Sequence, residues 1–359
     1  MKIHLWLILS LGILWMSCGE EDQALSEQTE AVAPTPVDDG PEAQLLALNK
    51  QIEMSPKSYQ LFEQRSQIYY QIDSLPQAVL DINKAIELFP NGADLYYLRG
   101  FYAFVQDDSI QAMKDYLEAA RLGSEEPENY YQMGQLHFFN SNDELALRLY
   151  KQAEELAPKE PIYIFAQGFL YETRGRKQEA LREYLRSLEA DSSFAKTRLQ
   201  LHDLYLDGYK NEPAAVEQVR ELLLFEPTQP LARFYMGNFH MRKLLANTDE
   251  SLSESFKEEA NEAVMHFSIA INKSPQFLQA LYNRGFVYFL AQNIDKALVD
   301  FEAAIKIDPQ HQPSLLMLGD IYYYYQDLQT AKFYYQKAIA ANPDNPDLKQ
   351  KLAELEELL

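Results

Sequence analysis

The chain has 359 residues, with 54 acidic against 32 basic side chains and a formal net charge of -22. That balance repels phosphate and so excludes nucleic acid or an anionic lipid surface as the main partner. The 24 tyrosines and 19 phenylalanines exclude disorder for most of the length, and the single cysteine, Cys18, excludes an intramolecular disulfide and a cysteine-based zinc site.

Residues 1–17 read as a signal peptide. Lys2 gives a short basic start, an apolar run extends from Leu5 to Trp15, and small Ser17 stands directly before Cys18. The run is too short to cross a bilayer. Leu14-Trp15-Met16-Ser17-Cys18 resembles a bacterial lipobox, departing from it at Trp15 where an aliphatic residue is usual, and the resemblance implies lipidation of Cys18. Residues 18–40 are acidic and almost free of large apolar side chains, so they read as a flexible tether. The 22 residues from Gly19 to Gly40 would span roughly 25 Å as a coil and about 75 Å fully extended. Within them Glu20-Glu21-Asp22 resembles an acidic surface-export signal of some Gram-negative bacteria.

From residue 41 the pattern turns helical. Residues 41–58, with Leu45, Leu48 and Ile52 on one side, read as a half-repeat. Pro56, Pro90, Pro158, Pro227, Pro275, Pro309 and Pro343 then follow at intervals of 34, 68, 69, 48, 34 and 34 residues, so a unit of 34 dominates. Units begin at residues 59, 93, 127, 161, 195, 230, 278 and 312. Position 8 of these units is Ser66, Gly100, Gly134, Gly168, His202, Gly237, Gly285 and Gly319, and position 20 is alanine in all eight, from Ala78 to Ala331. Position 24 is large (Ile82, Tyr116, Tyr150, Tyr184, Val219, Phe267, Phe301, Tyr335), and position 27 is small except for Leu222. Small residues beside large wedges are what closely crossing helices require.

These positions resemble the tetratricopeptide repeat from about Tyr59 to Asn345. The resemblance implies an all-α, right-handed helical-repeat solenoid of about eight hairpins, spanning 41–345 and closed by capping helices. No unit has the family's tryptophan at position 4, and Arg198 and Arg233 there make units five and six look degenerate. Unit five gains one residue near Gly208, and the insertion at 241–262 in unit six is expected to lengthen its hairpin into a solvent-exposed spur. At residues 346–359, Asn345-Pro346 opens a terminal helix with Leu348, Leu352, Leu355 and Leu359 on one face.

Catalytic signals are not found. The 13 glycines are scattered, so no phosphate loop or nucleotide cofactor is indicated. His137, His202 and His240 stand at packing positions, and no histidine pair has the spacing of a helical zinc motif, so neither metal nor cofactor is expected. Asp73-Ser74-Leu75 and Asp108-Ser109-Ile110 resemble bacterial O-glycosylation sites, although a serine before a second helix is more simply an N-cap.

In the tetratricopeptide family, positions 2, 5, 9, 12 and 13 line the inner groove. Transferred residue by residue, position 5 contributes Tyr97, Tyr131, Phe165, Phe234 and Tyr282; position 9 Phe101, Phe169 and Phe286; and position 12 Phe104, Phe138, Phe289 and Tyr323. Part of each ring must serve stacking, but position 10 already supplies an apolar packing residue in every unit. Position 5 lacks the basic residues of family members that clamp a peptide's carboxylate. The expected partner is therefore an apolar or amphipathic segment of another envelope protein, held by a non-catalytic scaffold lipid-anchored to a Gram-negative outer membrane. A glycan-binding surface lipoprotein using the same rings is the alternative, and a small-molecule ligand is not expected.

Overall fold

The computed structural model describes residues 40–246, 253–343 and 345–359, which form eighteen α-helices and no strand. The signal segment, Cys18, the acidic run from Glu20 to Asp22 and the tether before Gly40 lie outside the described residues, as do positions 247–252 of the insertion. No described helix is long and apolar enough to cross a membrane.

After α1 (Pro41–Met54) the helices come in pairs: α2 (Tyr59–Gln71) with α3 (Leu75–Leu88), α4 (Ala93–Val105) with α5 (Ser109–Arg121), α6 (Pro127–Phe139) with α7 (Asp143–Leu156), and α8 (Pro161–Thr173) with α9 (Lys177–Ala190). Then follow α10 (Ala195–Asp203) with α11 (Glu212–Phe225), α12 (Pro230–Ala246) with α13 (Glu254–Lys273), α14 (Leu278–Leu290) with α15 (Ile294–Ile307), and α16 (Gln312–Tyr324) with α17 (Leu328–Ala341), before α18 (Pro346–Glu356). Packing runs chiefly between helices consecutive in the chain, which is the arrangement of a solenoid.

The turn inside seven of the hairpins is set by one left-handed residue. Asp73, Asp107, Ser141, Gly175, Lys210, Gln292 and Gln326 all have φ between 56° and 75°. The following N–H then reaches back across the helix end, as in Ser74 N to Tyr69 O at 2.7 Å and Asn142 N to His137 O at 2.8 Å. This bond satisfies a terminal carbonyl and offsets the strain of the left-handed backbone. Ser74 stands at an N-cap but makes no side-chain capping bond, and Ser109 is already helical. Asp108 is the cap there, accepting from Gln111 N at 3.0 Å.

The core is built by the small-against-large rule. All eight position-20 alanines are fully buried. A Cβ added to Gly134 would lie 2.6 Å from the Tyr150 ring, and one added to Gly319 would lie 2.5 Å from Tyr335, so only glycine lets these helices close on the wedge. Unit five exchanges the sizes, with large His202 opposite small Val219, and Leu222 fills the remaining space fully buried. Its extra residue is absorbed by a π-helical turn, Leu204–Gly208, closed by Tyr209 N to Leu204 O at 3.0 Å.

Three expectations need correction. The insertion is more than an exposed spur: α12 and α13 extend to 17 and 20 residues, and Leu244, Phe256 and Ala260 are buried between them. Arg198 and Arg233 do serve at position 4. Their Nε atoms donate to Ser192 O at 2.8 Å and Pro227 O at 2.7 Å, six residues back, as the Tyr130 hydroxyl does to Ser124 O at 2.8 Å. In these three units position 4 thus ties the first helix to the preceding turn, and an arginine serves where a tyrosine does. Leu359 does not join the cap's apolar face, because α18 ends at Glu356 and leaves Leu359 exposed, whereas Leu348 and Leu355 are fully buried. Asn345 caps α18 by accepting from Asp347 N at 3.1 Å and Leu348 N at 3.3 Å.

Candidate functional site

Every aromatic assigned to the inner stripe is at least partly accessible. Tyr97, Phe101, Phe104, Tyr131, Phe138, Phe165, Phe234, Tyr282, Phe286 and Phe289 are half-buried, and Phe169 and Tyr323 are each 37% exposed. Their contacts divide them by position. The five position-5 rings each lean on the position-24 wedge of their own hairpin: Tyr97 on Tyr116 at 6.1 Å, Tyr131 on Tyr150 at 5.9 Å, Phe165 on Tyr184 at 5.5 Å, Phe234 on Phe267 at 5.9 Å and Tyr282 on Phe301 at 5.8 Å. They pack within their own hairpin and help to hold it shut.

Positions 9 and 12 bridge neighbouring units. Phe101 meets Tyr70 of the preceding unit at 5.2 Å, edge to face, and Phe169 meets Phe138 at 5.9 Å. These rings touch each other more than the wedges. They form the accessible apolar surface that a partner could cover.

Acidic groups interrupt the stripe in its N-terminal half. Glu128, near the start of α6, accepts from Gln132 Nε2 at 2.6 Å and from the Tyr163 hydroxyl at 3.3 Å. Burial holds its carboxyl above the usual range against these two bonds, and Glu126 and Glu160 add to the rise. Burial and Asp94 do the same to Glu63. Apart from Glu128, which falls at the family's position 2, this chemistry is not apparent from the repeat register, because Gln132 and Tyr163 are drawn to it from neighbouring turns and units.

The histidines gather where the sequence spacing does not suggest it. His240, Glu262 and His266 present ligand atoms within 4.8 Å of one another. However, Arg233 Nη1 lies 3.1 Å from His266 Nδ1, and a guanidinium can only donate, so the proton of the neutral ring sits on Nε2. Nε2 is the nitrogen that faces Glu262 and would have to bind a metal. On the other side His240 Nδ1 and Lys243 Nζ both meet Glu259 at 2.6 Å. The cluster is therefore a hydrogen-bonded brace between α12 and α13. Burial first, then Arg233 and His240, push His266 down to about 4, which keeps it neutral near pH 7.

Consecutive helical hairpins and wedge-and-glycine crossings define a repeat protein of the helical-solenoid class. Models of the tetratricopeptide repeat match residues 131–195, 278–311 and 312–345, and the chain is a tetratricopeptide-repeat protein. No curated protein sequence matches it. Among solved structures, Pseudomonas aeruginosa pilF is similar at 17% identity and a TM-score of 0.52, over 64% of this chain and 98% of that one. A chain of the APC/C hetero-tetramer Cut9-Hcn1 is similar at 14% identity and a TM-score of 0.50, over 89% of this chain and 59% of that one. MamA is 21% identical over 44% of this chain and 91% of its own, with a TM-score of 0.40. At such identities the likeness to pilF and to the Cut9-Hcn1 chain is one of fold.

Proposed function

We propose that this chain is a non-catalytic scaffold of a Gram-negative cell envelope, anchored to the outer membrane through a lipid on Cys18, and that its groove captures an amphipathic segment of another envelope protein. The repeat family supports protein interaction as the general role. The observation that carries the finer reading is the accessible pairing of rings at positions 9 and 12, such as Phe138 with Phe169. Packing does not require these rings to be aromatic, because Tyr102, Leu136, Leu170, Val287 and Ile321 at position 10 are already buried between units. Accessible aromatic clusters of this kind supply the anchors of protein interfaces.

The test is photo-crosslinking in the native cell. A crosslinking amino acid at Phe169 or Tyr323 should capture a discrete envelope protein, whereas one at Leu80 or Val299, exposed on second helices, should not. Equal capture at both kinds of position would overturn the groove as the binding surface. Capture of glycan in place of protein would support the saccharide reading.

A further inference from the structure

Unit six is latched differently from its neighbours. In units one, two and seven a position-7 arginine holds a position-23 aspartate, as Arg65 holds Asp81, Arg99 holds Asp115 and Arg284 holds Asp300. In unit six these positions are Met236 and His266, and the guanidinium comes instead from Arg233, whose Nη1 lies 3.1 Å from His266 Nδ1. Arg233 cannot swing aside freely, because its Nε also donates to Pro227 O at 2.7 Å in the turn before α12. The polar seam continues through His240, whose ring stacks on His266 at 5.5 Å, to Glu259, which Lys243 also meets.

A proton on His266 would break this seam at its centre. A protonated imidazole has no acceptor, so Nδ1 would present an N–H to a guanidinium that can only donate. Two cations would then face each other where His266 is only 6% exposed. The acids within reach do not offset this. Glu259 is already shared by His240 and Lys243, and Glu262 stands 3.9 Å from His266 Nε2 with its own side chain 45% exposed. The charged neighbours of His266 are thus Arg233 and His240 on α12 and Glu262 on α13, and α14, which also packs on α13, brings none that pairs with it among the described residues. We propose that the α12–α13 hairpin is an acid-operated joint, in which protonation of His266 frees α13 from Arg233 and opens this hairpin while the arginine–aspartate hairpins stay closed. The joint is independent of the proposed anchor and of the proposed capture. It bears on the inner stripe, because Phe234 leans on Phe267 at 5.9 Å in the same hairpin and would lose that support. Burial, then Arg233 and His240, hold the folded ring at about 4 against an ordinary 6.5, which places the opening between these values.

The experiment is amide hydrogen exchange on the full chain in detergent at about pH 7.5 and about pH 5, each rate being corrected for the intrinsic effect of pH. Between these conditions the opening constant of α12 and α13 should rise at least about tenfold, since a fall from 6.5 to about 4 on closing allows about thirtyfold. Helices α4, α5, α14 and α15, held by Arg99 and Arg284, should change less than about twofold. His266→Gln has an amide that can still accept from Arg233 and takes up no proton, so its α12 and α13 should open alike at both pH values. Glu259→Gln should keep the response. An equal rise in all of these helices, or no rise in α12 and α13, would overturn the joint. A response kept in His266→Gln, or lost in Glu259→Gln, would overturn His266 as its trigger. The comparison between hairpins is made on the unaltered chain and stands whether or not either variant folds.

Discussion

Arg99 holds Asp115 by two parallel bonds, Nε to Oδ2 at 2.8 Å and Nη2 to Oδ1 at 2.7 Å, and its remaining nitrogen reaches Asn83 at 2.9 Å. One side chain on α4 thus ties the second helix of its own hairpin to that of the preceding one. Arg65 repeats the arrangement with Asp81 and Asn49, and Arg284 with Asp300 and Ser268. The aspartates are buried, and each arginine is only partly exposed. Asp115→Ala should therefore strand a guanidinium and cost about 3 kcal/mol, whereas Arg99→Met with Asp115→Leu should cost under about 1 kcal/mol. Urea unfolding of the two single variants and the double variant closes the cycle. Equal losses in the single and double variants would mean that the clamp is incidental.

The wedge crossings predict a different response. Gly134→Ala places a Cβ 2.6 Å from the Tyr150 ring, which is itself fixed in the core, and should cost about 1 to 3 kcal/mol. Ala304→Leu, at another fully buried crossing, should behave alike. Replacing exposed Glu354 by alanine should change the melting temperature little. Comparable, small shifts for all three would mean that the crossings tolerate volume.

Acid should weaken the brace between α12 and α13. His266 is held at about 4 when folded, below its ordinary 6.5, so the unfolded chain takes up its proton first. The stability contributed by the neutral ring is complete above pH 6.5 and is lost as pH falls through the window toward 4. With allowance for partial solvent access, the loss should be about 2 kcal/mol. Measuring chemical denaturation at several pH values on the unaltered chain and on His266→Gln isolates it. Identical pH slopes would mean that His266 does not titrate differently on folding.

Glu128 should respond in the opposite direction. Its carboxyl is raised when folded, so stability falls as pH rises from the ordinary value of 4.5 through the folded one. Glu128→Gln should melt higher than the unaltered chain at pH 7 and no higher at pH 4. A lower melting temperature at pH 7 would show that the ionised carboxylate is already stabilised within the chain.

The anchor is tested at Cys18. Cys18→Ala should abolish fatty-acid labelling and release the chain from the membrane fraction or leave it uncleaved. Undiminished labelling would rule out this cysteine as the lipid site.

Much of the fold was legible because stacking helices imposes steric demands at a fixed period. A glycine at position 8, an alanine at 20 and a tyrosine at 24 recur because the backbones of two helices meet there, and every unit must solve the same contact. The groove was legible only in part. Transfer from the repeat family named Tyr97 and Tyr282, but leaning against Tyr116 and Phe301 is a matter of side-chain direction, which spacing does not contain.

The sequence by itself determined the period, the hairpin as the unit, and the small and large partners at each crossing, because those contacts are local and repeat. Only the tertiary structure decided what depends on neighbouring units or on paired helices. Arg99 and Asp115 stand sixteen residues apart, as many unrelated arginines and aspartates do, and the hairpin's closure makes them a clamp. His240 and His266 meet because α12 runs back along α13, and a guanidinium from Arg233 then sets where the proton sits. Glu128 meets the Tyr163 hydroxyl because α8 packs on the preceding hairpin. Burial and hydrogen-bond satisfaction are properties of the assembled solenoid, and no single repeat carries them alone.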